Sequence, residues 1–472
     1  MLNSWNWKAS IRGLRVTGAA FVGLLLAPSF ALGTSHEPLK LPVWSIVPFV
    51  LLLLCIASLP LVAEHFWHND RNKAVIVLCL AIPVILYLGY MQLSTGEHTL
   101  YPLVHELGKY SSFIIMLGSL YAVAGGIVVR GDLKATPFNN AVILGLGALL
   151  ANLIGTTGAS VLLIRPYLRI NALRKLKLHL PVFFIFLVSN LGGCLTPLGD
   201  PPLFMGYLNG VPFQWTLTLW PQWLLVNGLV LAVFVVWDTI SLRREAPSAT
   251  IESDRPAPLR IDGKFNLFLL AGIMLAVVIE TDWIPQRLTG VWEIFGGELL
   301  MLIMAFLSLR LTPKALREAN GFNWRPITEV AILFAGIFVT MVPALQLLEV
   351  HGRSFGLTEP WQFFWVTGLL SAGLDNAPTY LAFATLSAGS DDFNVLVENL
   401  APGLNGPRVL QAISCGAVFM GALSYIGNGP NFMVKAISEQ AGYRLPSFFG
   451  YTLYASAILI PIYILVTVIF FR

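Results

Sequence analysis

Charge is scarce in this chain: 11% of its 472 residues are Asp, Glu, Lys or Arg, against 56% hydrophobic. That balance excludes a water-facing globular fold for most of its length. A mean hydropathy of +0.74 places it among polytopic membrane proteins. Cysteine is scarce too, and Cys55, Cys79, Cys194 and Cys415 lie in apolar segments without CxxC spacing, which reads as packing and not as a disulfide or metal framework. There is no HExxH, no G-x-S-x-G and no cluster among the seven histidines, which speaks against an intramembrane enzyme. No G-x-x-x-x-G-K-[ST] occurs, and no segment is large enough for a nucleotide-binding domain. The expected energy source is therefore an ion gradient, with no cofactor and no ATPase subunit. The net charge of +4 resides in short loops and gives no sign of a nucleic-acid partner; the expected surroundings are a lipid bilayer.

What is present in abundance is apolar sequence. Residues 1–33 carry Lys8, Arg12 and Arg15, then the apolar run Val16 to Leu26 and a small-x-small site at Ser29-Phe30-Ala31, the layout of a signal peptide or of a first transmembrane segment. Predominantly apolar spans follow at about 43–64, 73–93, 110–130, 179–208, 220–241, 265–283, 293–310, 326–349, 409–440 and 447–471. Two further segments, near 136–168 and 361–388, are interrupted halfway by Asn152-Leu153-Ile154-Gly155-Thr156-Thr157-Gly158 and by Asp375-Asn376-Ala377-Pro378-Thr379. Half a span on each side of a polar tip describes a re-entrant helical hairpin.

Basic residues support that reading. With both interrupted segments re-entrant, twenty Lys and Arg fall in loops assigned to the cytoplasm, six fall outside and three lie in the N-terminal basic region. The fold class expected is an all-α polytopic membrane protein built as an inverted-topology repeat, with two re-entrant hairpins and two broken helices. The halves are 34–241 and 265–472, joined by a cytoplasmic linker at 242–264.

The breaks themselves are related. Gly199-Asp200-Pro201-Pro202-Leu203-Phe204-Met205 recurs 228 positions later as Gly427-Asn428-Gly429-Pro430-Asn431-Phe432-Met433, with Gly193 falling on Gly421 and Thr196 on Ser424. Non-helical backbone at membrane depth is tolerated where it lines an enclosed site. Paired breaks in corresponding halves point to a transporter's substrate site.

Asp200 and Asp375 carry the strongest individual signal, since a carboxylate at mid-span costs about 2.5–3.5 kcal/mol on insertion scales and normally faces a cavity and a partner. Each is a candidate ligand for Na+ and for a coupling proton, and each has a plainer role as a helix cap. Asn152, Thr156, Thr157, Asn190, Thr196, Asn376, Thr379, Ser424, Asn428 and Asn431 supply further oxygens and amides around the four breaks. They either ligate a cation or satisfy freed backbone groups. Gly193, Gly199, Gly427 and Gly429 permit the turns and close approach, and Pro201, Pro202 and Pro430 restart the helices. Glu298 is a minor candidate for a proton path, Glu329 an interfacial partner of Arg325, and Lys435 either an anion contact or a side chain reaching the membrane surface.

The run Ser189-Asn190-Leu191-Gly192-Gly193-Cys194-Leu195-Thr196-Pro197-Leu198-Gly199-Asp200-Pro201-Pro202, with Asn152 to Ser160 before it and Leu374-Asp375-Asn376-Ala377-Pro378-Thr379 after, resembles the ion transporter superfamily. That group holds divalent-anion/sodium symporters, citrate transporters, arsenite permeases and NhaD-type sodium/proton antiporters. The resemblance implies a homodimer in the bacterial inner membrane, each protomer carrying hairpin tips and broken helices that move together in an elevator-type cycle. The dicarboxylate branch has Ser-Asn-Thr tips; here Ala151-Asn152-Leu153 and Asp375-Asn376-Ala377 stand in their place, and Asp200 replaces the usual Thr. Two carboxylates favour sodium and protons as the transported ions. A proton- or sodium-coupled citrate or dicarboxylate carrier is the alternative.

Overall fold

A computed structural model describes residues 39–472 except 68, 97, 132, 246–259 and 283–290. The expected leader or first span at 1–33 lies outside these residues, as does most of the linker. Six helices among the described residues are long and apolar enough to cross a membrane, and a bent pair makes up to seven. The chain is an all-α polytopic membrane protein.

Numbered in chain order, the longer helices of the first half are α1 (Val47–Val62), α2 (Asp70–Thr95), α3 (Tyr101–Ala124), α4 (Pro137–Ile170), α5 (His179–Leu187), α6 (Pro201–Leu208) and α7 (Trp220–Arg244). Those of the second half are α8 (Phe265–Asp282), α9 (Val291–Leu311), α10 (Arg325–Thr340), α11 (Val342–His351), α12 (Pro360–Gly373), α13 (Asn376–Ala388), α14 (Gly406–Met420), α15 (Gly429–Gln440) and α16 (Phe448–Val466). Proline sits in the opening positions of α4, α6, α10, α12, α14 and α15, where its fixed φ suits a helix start and its missing N–H costs no bond. Helix α5 is buried on every side and apolar after its first residue, as a helix enclosed by others must be.

All four interruptions are real breaks in the backbone. Within α4 the helix is broken at Gly155, with φ 75° and ψ 154°, and α12 and α13 are separated by extended residues at Leu374 and Asp375. The other two breaks match each other closely. A 3₁₀ turn at Leu191–Gly193 precedes α6 and one at Gly421–Leu423 precedes α15. Asp200 (φ −146°, ψ 146°) and Asn428 (φ −155°, ψ 141°) then lead in with the same extended backbone. Glycine is required where each break folds back on itself. A Cβ on Gly199 would collide with the carbonyl oxygen of Gly193, and one on Gly427 would lie 2.6 Å from that of Gly421.

The structure corrects two expectations. The span placed at 110–130 is instead helix α3 from Tyr101 to Ala124, followed by strand β1 (Val128–Arg130), which pairs antiparallel with β2 (Arg260–Asp262). Glu106 and Lys109, which precede the expected span, lie within the helix, buried and paired at 2.9 Å. The span at 326–349 is bent by 44° between α10 and α11, beside Pro343, which cannot donate a helical hydrogen bond. Glu329 pairs with buried Lys73 of α2 at 2.7 Å.

Candidate functional site

Asp200 is the residue on which three of the four breaks converge. Its carboxylate is buried, and the side chain makes no capping bond to the helix it precedes. Instead Thr156 Oγ1 donates to Oδ1 at 2.8 Å from the tip of the first hairpin. Asn428 Nδ2 donates to the same oxygen at 2.8 Å from the second broken helix, and Asn376 Nδ2 donates to Oδ2 at 2.6 Å from the second hairpin. Its own broken helix closes the set, since Thr156 N donates to Gly199 O at 2.8 Å. Hydrogen bonds to an ionised group contribute about 1.5–3 kcal/mol each, so this carboxylate fastens residues from both halves of the chain.

Asp375 behaves differently. It is half-buried, and its Oδ1 accepts from Ala377 N at 3.2 Å, the capping role that an Asp at a helix start ordinarily plays. The two carboxylates with equal standing in the sequence therefore divide, one gathering side chains and the other capping a helix.

A second layer ties the broken helices to each other. Asn190 Nδ2 donates to Asn431 Oδ1 at 2.7 Å, and Asn431 Nδ2 donates to the carbonyls of Gly421 and Ser424, both at 2.9 Å. Asn428 Nδ2 also donates to Ser189 O at 3.1 Å. Hydroxyls secure the hairpins in a related way. Thr196 Oγ1 donates to Asn152 O at 2.5 Å, and its counterpart Ser424 donates to Ala372 O at 2.5 Å. Asn152 Oδ1 accepts from Leu195 N at 2.8 Å, while Thr379 Oγ1 donates to Asp375 O at 2.9 Å. Thr157 is half-buried and stands apart from this network. Among the glycines, Gly429 departs from the expected close approach: a Cβ there meets nothing within 4 Å.

Two oxygens in this layer remain unused. Asn376 Oδ1 and Asn190 Oδ1 are buried without a hydrogen-bond partner. The orientation of Asn376 follows from Asp200, because turning the amide round would set its oxygen against the carboxylate. An orphaned buried acceptor is costly, and a cation or a proton donor would satisfy it.

Together the four breaks form one enclosed polar centre made of Asp, Asn, Thr and Ser, and a family profile matches the same chain. That family is described as "Putative citrate transport", and the match covers residues 38–471. The chain belongs to this citrate-transport family. No individually curated protein matches it. Membership agrees with the resemblance to citrate transporter-like members of the ion transporter superfamily and supports a transporter in place of an enzyme.

For a citrate-family chain, the centre has a notable composition: among the described residues no Lys or Arg supplies a hydrogen bond to Asp200 or to the asparagines around it. Lys435 pairs with Glu439 at 2.9 Å and lies over the rings of Tyr425 and Phe432. Glu298 accepts from Ser112 Oγ at 2.6 Å, on the α3–α9 contact and away from the breaks.

Sequence reasoning missed one cluster entirely. Asp238, fully buried in α7, receives Arg174 Nη2 at 2.9 Å, His179 Nε2 at 3.0 Å and Asn140 Nδ2 at 2.9 Å, and Arg174 also pairs with Glu245 at 2.9 Å. A lone Asp near the end of an apolar span was the available signal. Arg174 registers in the sequence only as one more cytoplasmic charge. The cluster pins the foot of α4 to α5 and α7, and so holds the first hairpin and broken helix in register.

Proposed function

We propose that this chain is an ion-gradient-driven secondary transporter that exchanges sodium for protons, with Asp200 as the group at which the two ions compete. The observation that carries this reading is the triple convergence of Thr156, Asn376 and Asn428 on one buried carboxylate.

The bonding pattern fits the ionised acid, since every neighbour donates. A proton arriving at Oδ2 makes that oxygen a donor facing the donor Asn376 Nδ2. Relief requires Asn376 to turn its amide, presenting Oδ1, the atom with no partner in the structure. Protonation thus changes the bond between the first broken helix and the second hairpin. Sodium does the opposite: it takes carboxylate, amide and hydroxyl oxygens, and keeps Asp200 ionised. Competition between proton and cation for one carboxylate is the elementary requirement of an exchanger. Asp375 contributes negative charge at the hairpin tip. In this reading the hairpins and broken helices of each protomer of a homodimer move as a body in an elevator-type cycle in the bacterial inner membrane, with the 242–264 linker in the cytoplasm.

The family match favours a second reading, a citrate or dicarboxylate carrier driven by the same cation. With no cationic side chain in the centre among the described residues, the carboxylates of such a substrate would rest on the N-termini of α6, α13 and α15 and on the bound cation. Everted membrane vesicles distinguish the two. Exchange predicts that sodium collapses a preformed pH gradient in the absence of citrate. Labelled citrate uptake that needs sodium or protons, with no sodium-driven gradient collapse, would replace it with the carrier reading.

A further inference from the structure

A separate cavity lies at the foot of the first hairpin, away from the four breaks. It has a volume of about 290 Å³ and is lined by Arg130, Arg165 and Arg169, with Val128, Pro166 and Asn320 among the residues completing its wall. No carboxylate is among its lining residues. Arg165 is held in place, donating from Nη1 to Asn320 O at 2.8 Å. Arg130 shares Asp262 with Arg260, at 3.0 and 2.8 Å. Arg169 is exposed and meets no counter-charge among the described residues. Three guanidinium groups line the cavity and the one carboxylate near them is shared with a fourth, Arg260, so the cavity is left with a net positive charge; α4 is apolar immediately before Arg165, through Val161-Leu162-Leu163-Ile164.

We infer that this cavity binds a phosphate-bearing anion. The planar fork of arginine matches the oxygens of phosphate, and a guanidinium fixed by a backbone carbonyl loses little freedom on binding. A cavity of this size accommodates a phosphate group with a short polar attachment. Its position where the apolar run ends is the depth of a lipid headgroup, and basic pockets at the ends of transmembrane helices are suited to anionic headgroups. The occupant is the phosphate of an anionic lipid or a free phosphate. Because Arg165 and Arg169 belong to the hairpin while Arg130 and Asn320 belong to β1 and the segment before α10, an anion here bridges the hairpin to its surroundings.

The test is the thermal unfolding midpoint of the full-length protein purified in a neutral detergent. Phosphatidylglycerol, phosphatidylcholine or inorganic phosphate is added to wild type, to Arg165→Gln/Arg169→Gln, to Arg169→Gln alone, and to a control, Arg243→Gln/Arg244→Gln, that removes equal charge elsewhere. Phosphatidylglycerol, unlike phosphatidylcholine, is expected to raise the midpoint of the wild type and the control by several degrees, with the shift at least halved in both cavity variants. A shift with inorganic phosphate, lost in the same variants, would establish the site with a free anion as its source. No shift with either anion, or one of equal size in Arg169→Gln and wild type, overturns the inference. The Arg169 side chain has no hydrogen bond or ion pair among the described residues, so its single substitution keeps the test valid if the double variant does not fold.

Discussion

Replacing Asp200 by Asn separates chemistry from architecture. The new side chain retains one oxygen, which can still accept from Thr156 and Asn428, both now bonded to Oδ1 at 2.8 Å. Its amide nitrogen then faces Asn376 Nδ2, and one turn of Asn376 brings its unpartnered Oδ1 round to accept. The bond count is preserved; what is lost is the charge. A hydrogen bond to an ionised group contributes about 1.5–3 kcal/mol against about 1 for a neutral one, so over the three bonds unfolding should become easier by roughly 1.5–6 kcal/mol, an upper range because the neutral amide also costs less to bury. Cation retention should fall about tenfold to a hundredfold, at ~1.4 kcal/mol per factor of ten. Proton exchange should vanish, since an amide does not titrate. The assay is collapse of a preformed pH gradient in everted vesicles as sodium is raised, with expression matched by immunoblot. Wild-type collapse in Asp200→Asn would refute the reasoning.

Other substitutions probe separate parts of the account. Asp375→Asn retains a competent cap, so it should fold normally and transport with a raised half-saturating sodium concentration; complete loss of exchange there, with Asp200→Asn active, would reverse the two roles. Gly199→Ala meets a backbone carbonyl and should fail to accumulate, whereas Gly429→Ala has open space and should match wild type in expression and transport. Arg174→Met leaves Asp238 buried beside His179 alone among charged partners and should cost about 3–5 kcal/mol, seen as a lower unfolding midpoint in detergent. Burial raises the pKa of Glu245, but hydrogen bonds from Arg174 and from the Lys175 and Leu176 amides outweigh it and hold the carboxyl below its ordinary 4.5. Its stabilisation is therefore complete above pH 4.5 and is lost as pH falls through the lowered value, so the gap in midpoint between wild type and Glu245→Gln should close on acidification.

The four breaks were legible in the sequence because their signals are local. Gly-x-Pro-Pro and Asp-Asn-Ala-Pro disrupt a helix wherever they stand, and their placement inside apolar runs announces the disruption. The partners of each side chain were not legible. Asp200 and Asp375 are alike as sequence, each an Asp before a helix start, and only the meeting of residues 156, 200, 376 and 428 in space distinguishes the gatherer from the cap. Buried ion pairs went unrecognised for a related reason. A charge within an apolar run looks like the end of a span, as at Glu106 and Lys109, unless its partner one helical turn away is also counted. The Arg174–Asp238 pair spans 64 residues, beyond any local rule.

The central claim is that sodium displaces a proton from Asp200. Its most direct measurement is proton release into weakly buffered solution when sodium is added to the purified wild-type protein and to Asp200→Asn, with choline as the control cation. The account predicts release from the wild type that saturates with sodium, none with choline, and none from Asp200→Asn. Equal release from both proteins, or none from the wild type across the pH range in which it transports, would contradict it.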